Sequence, residues 1–257
     1  MTTADTTPAL DAAKAKFREA VVEKGLLTDD TPVSVSPLAA EQAIGQPSRR
    51  DFPIVQGRER VIEAEVNGAR GHAFTDSPTE FSGTLAEAMA LPLSSNQNRA
   101  VFVATLNAAL QSVDMLDAGL HCRDEDPEKC ARKLAKDVHD KWGRKTVGLI
   151  GLNPAIAEAL IGLLGAERVH ITDLDPRNVG TVKHGVLVWD GRTRTEELIR
   201  QSSVVIATGT TLVNGTFDDI RAWIAAYGKD YLIYGVTAAG VCRLMGWDRV
   251  CPYARTA

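Results

Sequence analysis

The chain has 257 residues, 44% of them apolar and 24% charged, with a net charge of -4. This is the composition of a globular protein long enough for one large or two modest domains, and the charge gives no electrostatic reason to expect nucleic acid or an anionic membrane as partner. No apolar run reaches the length of a membrane span and the opening MTTADTTPAL lacks the pattern of a secretion signal, so a cytoplasmic location is expected, with Cys122, Cys130, Cys242 and Cys251 as reduced thiols.

In chain order, TPALDAAKAKFREAVVEKGLL reads as an amphipathic helix, with Thr7 as N-cap, Pro8 at the first helical position and Gly25 near the stop. RVIEAEVNGARGHAF alternates apolar residues around Asn67-Gly68, the strongest hairpin signal in the chain. GTLAEAMALPL and NQNRAVFVATLNAALQSVDML are helical by period, and the second is apolar on most sides, as a buried helix would be. This half, residues 1–142, reads as an α+β domain.

From residue 143 to 257 the pattern changes. TVGLIG is a near-continuous apolar strand, NPAIAEALIGLLG a helix stopped by Gly165, and RVHITDLD a second strand. After a polar crossing come a short helix at EELIRQ, a strand at VVIAT, a helix at FDDIRAWIAAYG and a strand at YLIYGV. Continuous apolar strands separated by helices predict a Rossmann-like three-layer domain, its parallel sheet covered on both faces.

Ligands of such sheets bind beyond the carboxyl ends of the strands. Three stretches fall there: the first loop, with Gly148, Gly151 and Asn153; the acidic end of the next strand, Asp173 and Asp175; and the Thr-rich run with Thr208, Gly209, Thr210, Thr211 and Asn214. Glycine at a turn also serves as steric relief, and Asp after a strand as a cap. Capping needs only one polar group, however, and the Thr-rich run offers several hydroxyls, an amide and free N–H groups at one strand end. It is therefore read as a ligand contact, suited to something anionic or strongly polar.

A metal would be sought in HCRDEDPEKC, where His121, Cys122 and Cys130 supply an imidazole and two thiols suited to zinc, copper(I) or nickel. Asp126-Pro127-Glu128 places Cys130 one turn into a helix and Cys122 in the loop before it. The C-x7-C spacing is not that of a zinc finger, and incidental thiols beside an acidic helix start would look the same. His72, His170, His184 and Cys251 are further donors whose convergence depends on the fold.

TVGLIGLNPAIAEAL, ITDLDP and above all SSVVIATGTTLVNGTFDDI, followed by LIYGVTAAG, resemble the putative heavy-metal chelation family. The resemblance implies a Rossmann-like domain preceded by a smaller domain like the N-terminal domain of enolase, and it transfers no catalytic residues. Three functions are consistent with it: a protein binding a small ligand, metal or metal chelate in an interdomain cleft, an enzyme holding a nucleotide or S-adenosylmethionine with Asp173 on the ribose, or an accessory scaffold. The first is the one the resemblance implies; the expected partner is a small molecule or metal ion, with a homo-oligomer as a further assembly. No nucleophile–base pair or H-E-x-x-H motif is present to favour hydrolysis.

Overall fold

The computed structural model describes residues 7–57 and 59–256. Helix α1 (Pro8–Phe17) begins directly after Thr7 and runs on through one π-turn, Arg18–Val22. Strand β1 (Pro32–Leu38), the short α2 (Ala40–Ile44), strands β2 (Arg60–Val66), β3 (Ala69–Thr75) and β4 (Phe81–Thr84), and helices α3 (Leu85–Ala90) and α4 (Asn96–Ser112) complete the first half up to residue 112. The strands form an antiparallel sheet in the order β3-β2-β1-β4. Val66 pairs with Ala69, which leaves Asn67 and Gly68 at φ 49° and 80° as the two-residue turn that the Asn-Gly pair predicts. Helix α3 starts with a reciprocal cap: the Glu87 N–H donates to the Thr84 hydroxyl, and the Thr84 N–H to the Glu87 carboxylate.

Helix α4 is buried at every residue from Arg99 to Leu110, as its all-round apolar sequence requires. One side lies on β2 and β3. Gly71 of β3 makes this possible, because a Cβ there would stand 2.3 Å from the Ala108 nitrogen.

The chain continues through α5 (Asp126–Trp142), β5 (Val147–Ile150), α6 (Pro154–Leu164) and β6 (Val169–Asp173). It then forms β7 (Val182–Lys183), β8 (Val186–Asp190), α7 (Gly191–Gln201), β9 (Val204–Thr208), α8 (Thr210–Asn214), α9 (Phe217–Ala226), β10 (Asp230–Tyr234), α10 (Ala239–Met245) and β11 (Arg249–Val250). Six strands run parallel in the order β8-β6-β5-β9-β10-β11, and β7 lies antiparallel at the β8 edge. The first of these strands is central and the order reverses between β5 and β9, which is the doubly wound Rossmann arrangement.

Both faces are covered. Val204 and Ile206 join a core with α5 and α6, whereas the alternate residues Val205 and Ala207 meet α7 and α9. These are the three layers expected from the continuous apolar strands.

We propose the division into residues 1–142 and 143–257 on this topology, one sheet in each part. Packing crosses it at several places. Helix α5 lies on α6, α1 lies on α10 and α9, and the far side of α4 receives α8 and α10. One apolar core accordingly contains Phe17, Ile62, Phe102, Leu106, Phe217 and Val241 together. At its centre the Asn107 amide donates to the carbonyls of His72, Val236 and Thr237 and accepts from the Gly240 N–H at 2.7 Å.

Several elements go beyond the sequence expectation, among them β1, α2, α10 and β11. The polar crossing contains the β7–β8 hairpin, and the Thr-rich run is not an open loop but carries helix α8. Among the described residues no helix is long and apolar enough to cross a membrane.

Candidate functional site

A cavity of about 790 Å³ opens beyond the carboxyl ends of β5, β6, β9 and β10, at the point where the strand order reverses. Its floor is Gly151 to Asn153, Thr172 to Asn178, Thr208 to Thr211 and Tyr234 to Thr237. The opposite wall comes from the other half of the chain, with Glu59, Phe74, Asp76, Asn96, His121 and Cys122, and Cys130 and Cys251 close one side.

Gly151, Asn153, Asp173, Thr208, Gly209, Thr210, Thr211 and Asn214 all line this cavity, so eight of the nine expected ligand residues meet there. Gly148 does not. It lies inside β5, where an added Cβ would stand 2.3 Å from Leu198 Cδ2 and 2.6 Å from Ser202 Oγ of α7 and its cap. Its role is close packing of helix on strand. We expect Gly148→Ala to cost about 1–3 kcal/mol of stability through overpacking and to leave ligand affinity unchanged, as read by a denaturant melt beside a binding titration.

The donors of the first loop are already engaged. Gly151 N–H donates to the Thr172 carbonyl, Leu152 N–H to Asp173 Oδ2 at 2.6 Å, and Asn153 N–H to the Gly151 carbonyl. Pro154 has none, and the N–H groups of Ala155 and Ile156 both reach Asn153 Oδ1 at 3.1 Å. The amides that would cradle a phosphate in a dinucleotide site are therefore satisfied from within the protein. Asp173, expected on a ribose, also accepts from Asp175 N–H and Asn178 Nδ2 with its other oxygen.

The Thr-rich run is similarly self-bonded. Thr211 Oγ1 donates to the Thr208 carbonyl, the Thr208 and Thr210 hydroxyls share a 2.8 Å hydrogen bond, and Gly209 N–H donates to the Tyr234 carbonyl. Asn214 Oδ1 accepts from both the N–H and the hydroxyl of Thr216, while Gly215 at φ 80° stops α8. From α4 in the other half, Arg99 Nε caps this helix by donating to the Val213 carbonyl at 2.7 Å.

Carboxyls and guanidiniums both line the cavity. Glu59 and Asp173 are half-buried in the cavity, and both carboxyls lie above their usual range. Burial pushes Glu59 up to about 7, helped by the charges of Asp173, Asp76 and Asp175. For Asp173 burial is again the leading cause, opposed by its hydrogen bonds. Arg177 and Arg192 stand exposed at the rim, the first paired with Asp175 at 2.9 Å and the second donating to the Leu174 carbonyl. Glu59 escaped the sequence reading. No local pattern marks it, since its surroundings exist only once the two sheets meet.

The metal candidates also gather at this cavity. His121 Nε2 lies 3.9 Å from Cys122 Sγ, its ring meets Phe74 edge-on, and its buried Nδ1 has no hydrogen-bond partner among the described residues. Burial holds the His121 imidazole below its usual range. The Cys130 thiol, on the first turns of α5, is pushed up to about 12, chiefly by its hydrogen-bonded contact with Cys122. Cys251 is raised as well, first by Cys130 and then by burial. These are protonated, unreactive thiols. No group of three or more His, Cys, Asp or Glu side chains among the described residues is arranged to hold a metal ion as it stands.

The remaining histidines lie elsewhere. His72 Nδ1 accepts from the His121 N–H, so its Nε2 carries the proton and donates to Glu63 at 2.8 Å. His170 stacks on Trp189, and His184 sits on the β7–β8 turn near Glu158.

A protein with unknown function from the DUF364 family of Pyrococcus horikoshii has a similar fold, with 18% identity, a TM-score of 0.50, and coverage of 90% of this chain and 80% of that one. A second DUF364 protein of unknown function, from Desulfitobacterium hafniense, aligns over 72% of each chain at 12% identity and a TM-score of 0.46. No curated protein matches the sequence. The segment from the middle of α5 to α10, which supplies the cavity floor, matches the family described as "Putative heavy-metal chelation" over residues 135–243, and it is to this family that the chain is similar.

Proposed function

We propose that the chain binds a metal ion carried in a small, positively charged chelate, held in the cavity between the two sheets. One observation carries this reading: two half-buried carboxyls above their usual range face a cavity whose first-loop amide donors are already spent. A cation relieves the repulsion and desolvation of Glu59 and Asp173, whereas a phosphate meets no free amide in the first loop from Gly151 to Ile156. The volume, about 790 Å³, is that of a pocket for a small organic ligand rather than for a bare ion. The similarity to a family named for chelation agrees in kind.

Hexaamminecobalt(III) tests the reading, because this inert complex presents charge and N–H donors without exchanging its ligands. At pH 8 a saturating excess is expected to raise the melting temperature by roughly 5 °C. The gain should shrink as pH falls through about 7 and Glu59 takes up its proton. ATP is expected to give no shift; an ATP shift equal to or larger than that of the cobalt complex would overturn the proposal.

A further inference from the structure

We infer that residues 45–57 form a hinged lid on the cavity, opening to admit a ligand and closing as one wall around it. The lid serves whatever the cavity binds, so it stands apart from the chelate reading.

The first sign is excess length. Leu38 at the end of β1 pairs with Val61 in β2, so a short connection could join the two strands. The chain instead leaves through α2, reaches across to the other half and returns, and from residue 45 to 57 it carries neither helix nor strand. Such irregular connections are uncommon in compact proteins, and lids over a binding site are a frequent reason for them.

The two sides of the segment are held differently. On the inner side Phe52 and Ile54, 2% and 3% exposed, join the core that contains Ala131 and Leu134 of α5 and Ile156 of α6, and with Pro53 they line the cavity. On the outer side the fastenings are exposed and polar. Gln46 N–H donates to Asp124 Oδ1 at 2.9 Å, the Ser48 N–H and hydroxyl donate to the Glu125 carboxylate at 2.9 and 3.0 Å, and Arg49 Nη1 donates to Glu158 Oε2 of α6 at 2.5 Å. Water replaces such bonds at little cost, so closure rests mainly on the two apolar side chains, and opening is far easier than unfolding. The ends are Gly45 at φ 72° and Gly57 at φ 71°, conformations that suit glycine and places where a hinge absorbs its change of angle. Glu59 comes after the second hinge and just before β2, so a swing of the lid uncovers this carboxyl without displacing it.

The cysteines of the cavity read the opening without any ligand. Cys130 and Cys251 line it, whereas Cys242 is buried with α4 in the other core. The reduced full chain is labelled with N-ethylmaleimide, and the rate at each cysteine is followed by peptide mass spectrometry. Phe52→Ala is expected to speed labelling of Cys130 and Cys251 by roughly 100-fold through loss of the larger inner anchor, and Arg49→Ala by about 3-fold, with Cys242 unchanged in both. Should Phe52→Ala speed all three cysteines alike, it has loosened the whole fold, and Arg49→Ala decides. Parent-like rates at Cys130 and Cys251 in either variant, or a rise in Arg49→Ala that Cys242 shares, would overturn the lid. Saturating hexaamminecobalt(III) should slow both cavity thiols in the parent; faster labelling in the variants without that protection keeps the lid and removes the chelate reading.

Discussion

Replacing Asn107 by Leu is expected to lower the melting temperature by about 10 °C. The substitution is close in volume, so the loss comes from hydrogen bonding. The Gly240 N–H loses its acceptor, and the carbonyls of His72, Val236 and Thr237 lose the Asn107 donor, although Val236 keeps the Ala239 N–H, all in a buried setting. A buried polar group left unpaired costs about 1–3 kcal/mol, which makes a total on the order of 4 kcal/mol. For a chain of this size that corresponds to about 10 °C. Because α4 shares its core with α8 and α10, calorimetry should show one transition in parent and variant alike. Two resolved transitions would mean that the halves melt independently and that Asn107 does not join them.

Glu59→Gln should have the opposite effect on the ligand-free protein. The folded state holds the Glu59 proton with a value raised from 4.5 to about 7, so it binds that proton more tightly than the unfolded chain does. Stability from this group is therefore full in acid and is lost as pH rises from about 4.5 through about 7. Gln carries no charge to desolvate. At pH 8 the variant should be more stable by roughly 2 kcal/mol, after discounting for solvent access, and at pH 5 the two proteins should melt nearly together. The gain in stability should accompany loss of the hexaamminecobalt shift, the trade expected of a group kept for binding. Melting curves across this pH range provide the check, and a destabilised variant at pH 8 would make Glu59 a structural hydrogen-bonding residue instead.

The sequence was most legible where a single local rule decides the structure. Asn67-Gly68 can make the two-residue turn at positive φ, and α4 has no polar face to turn to solvent, so both were evident from the residues alone. The parallel sheet followed from strands such as Val204–Thr208, apolar on both faces. Strand β8 was hidden because Leu187 is exposed while Val186 and Val188 are buried, an alternation one strand in from the sheet edge and set among polar residues. The threonines of α8 are weak helix formers, and its end is capped by Arg99 from far along the chain. For the site, the strand-end rule placed most of the cavity floor. It could not foresee that Asp173 and Asn153 would consume the donors of the first loop, since side-chain bonding is not written in spacing. Nor could it pick Glu59, or settle on Cys251, whose neighbours come from distant segments.

The packing of α1 bears on how the protein is made. This helix closes against α9 and α10, and its Ala9 N–H donates to the carboxylate of Asp218 at 3.0 Å. During synthesis, α1 emerges some two hundred residues before that carboxylate exists, and α4 likewise waits for α8 and α10 to cover its far side. Until then Leu10, Phe17, Phe102 and Leu106 have no complete apolar surroundings. A nascent chain must carry these faces open while the ribosome finishes, a state in which partly folded proteins aggregate or recruit chaperones. Long-range closure of this kind also slows the final folding step. Yield in a cell should consequently depend on chaperone supply during translation more steeply than the finished molecule's stability would suggest.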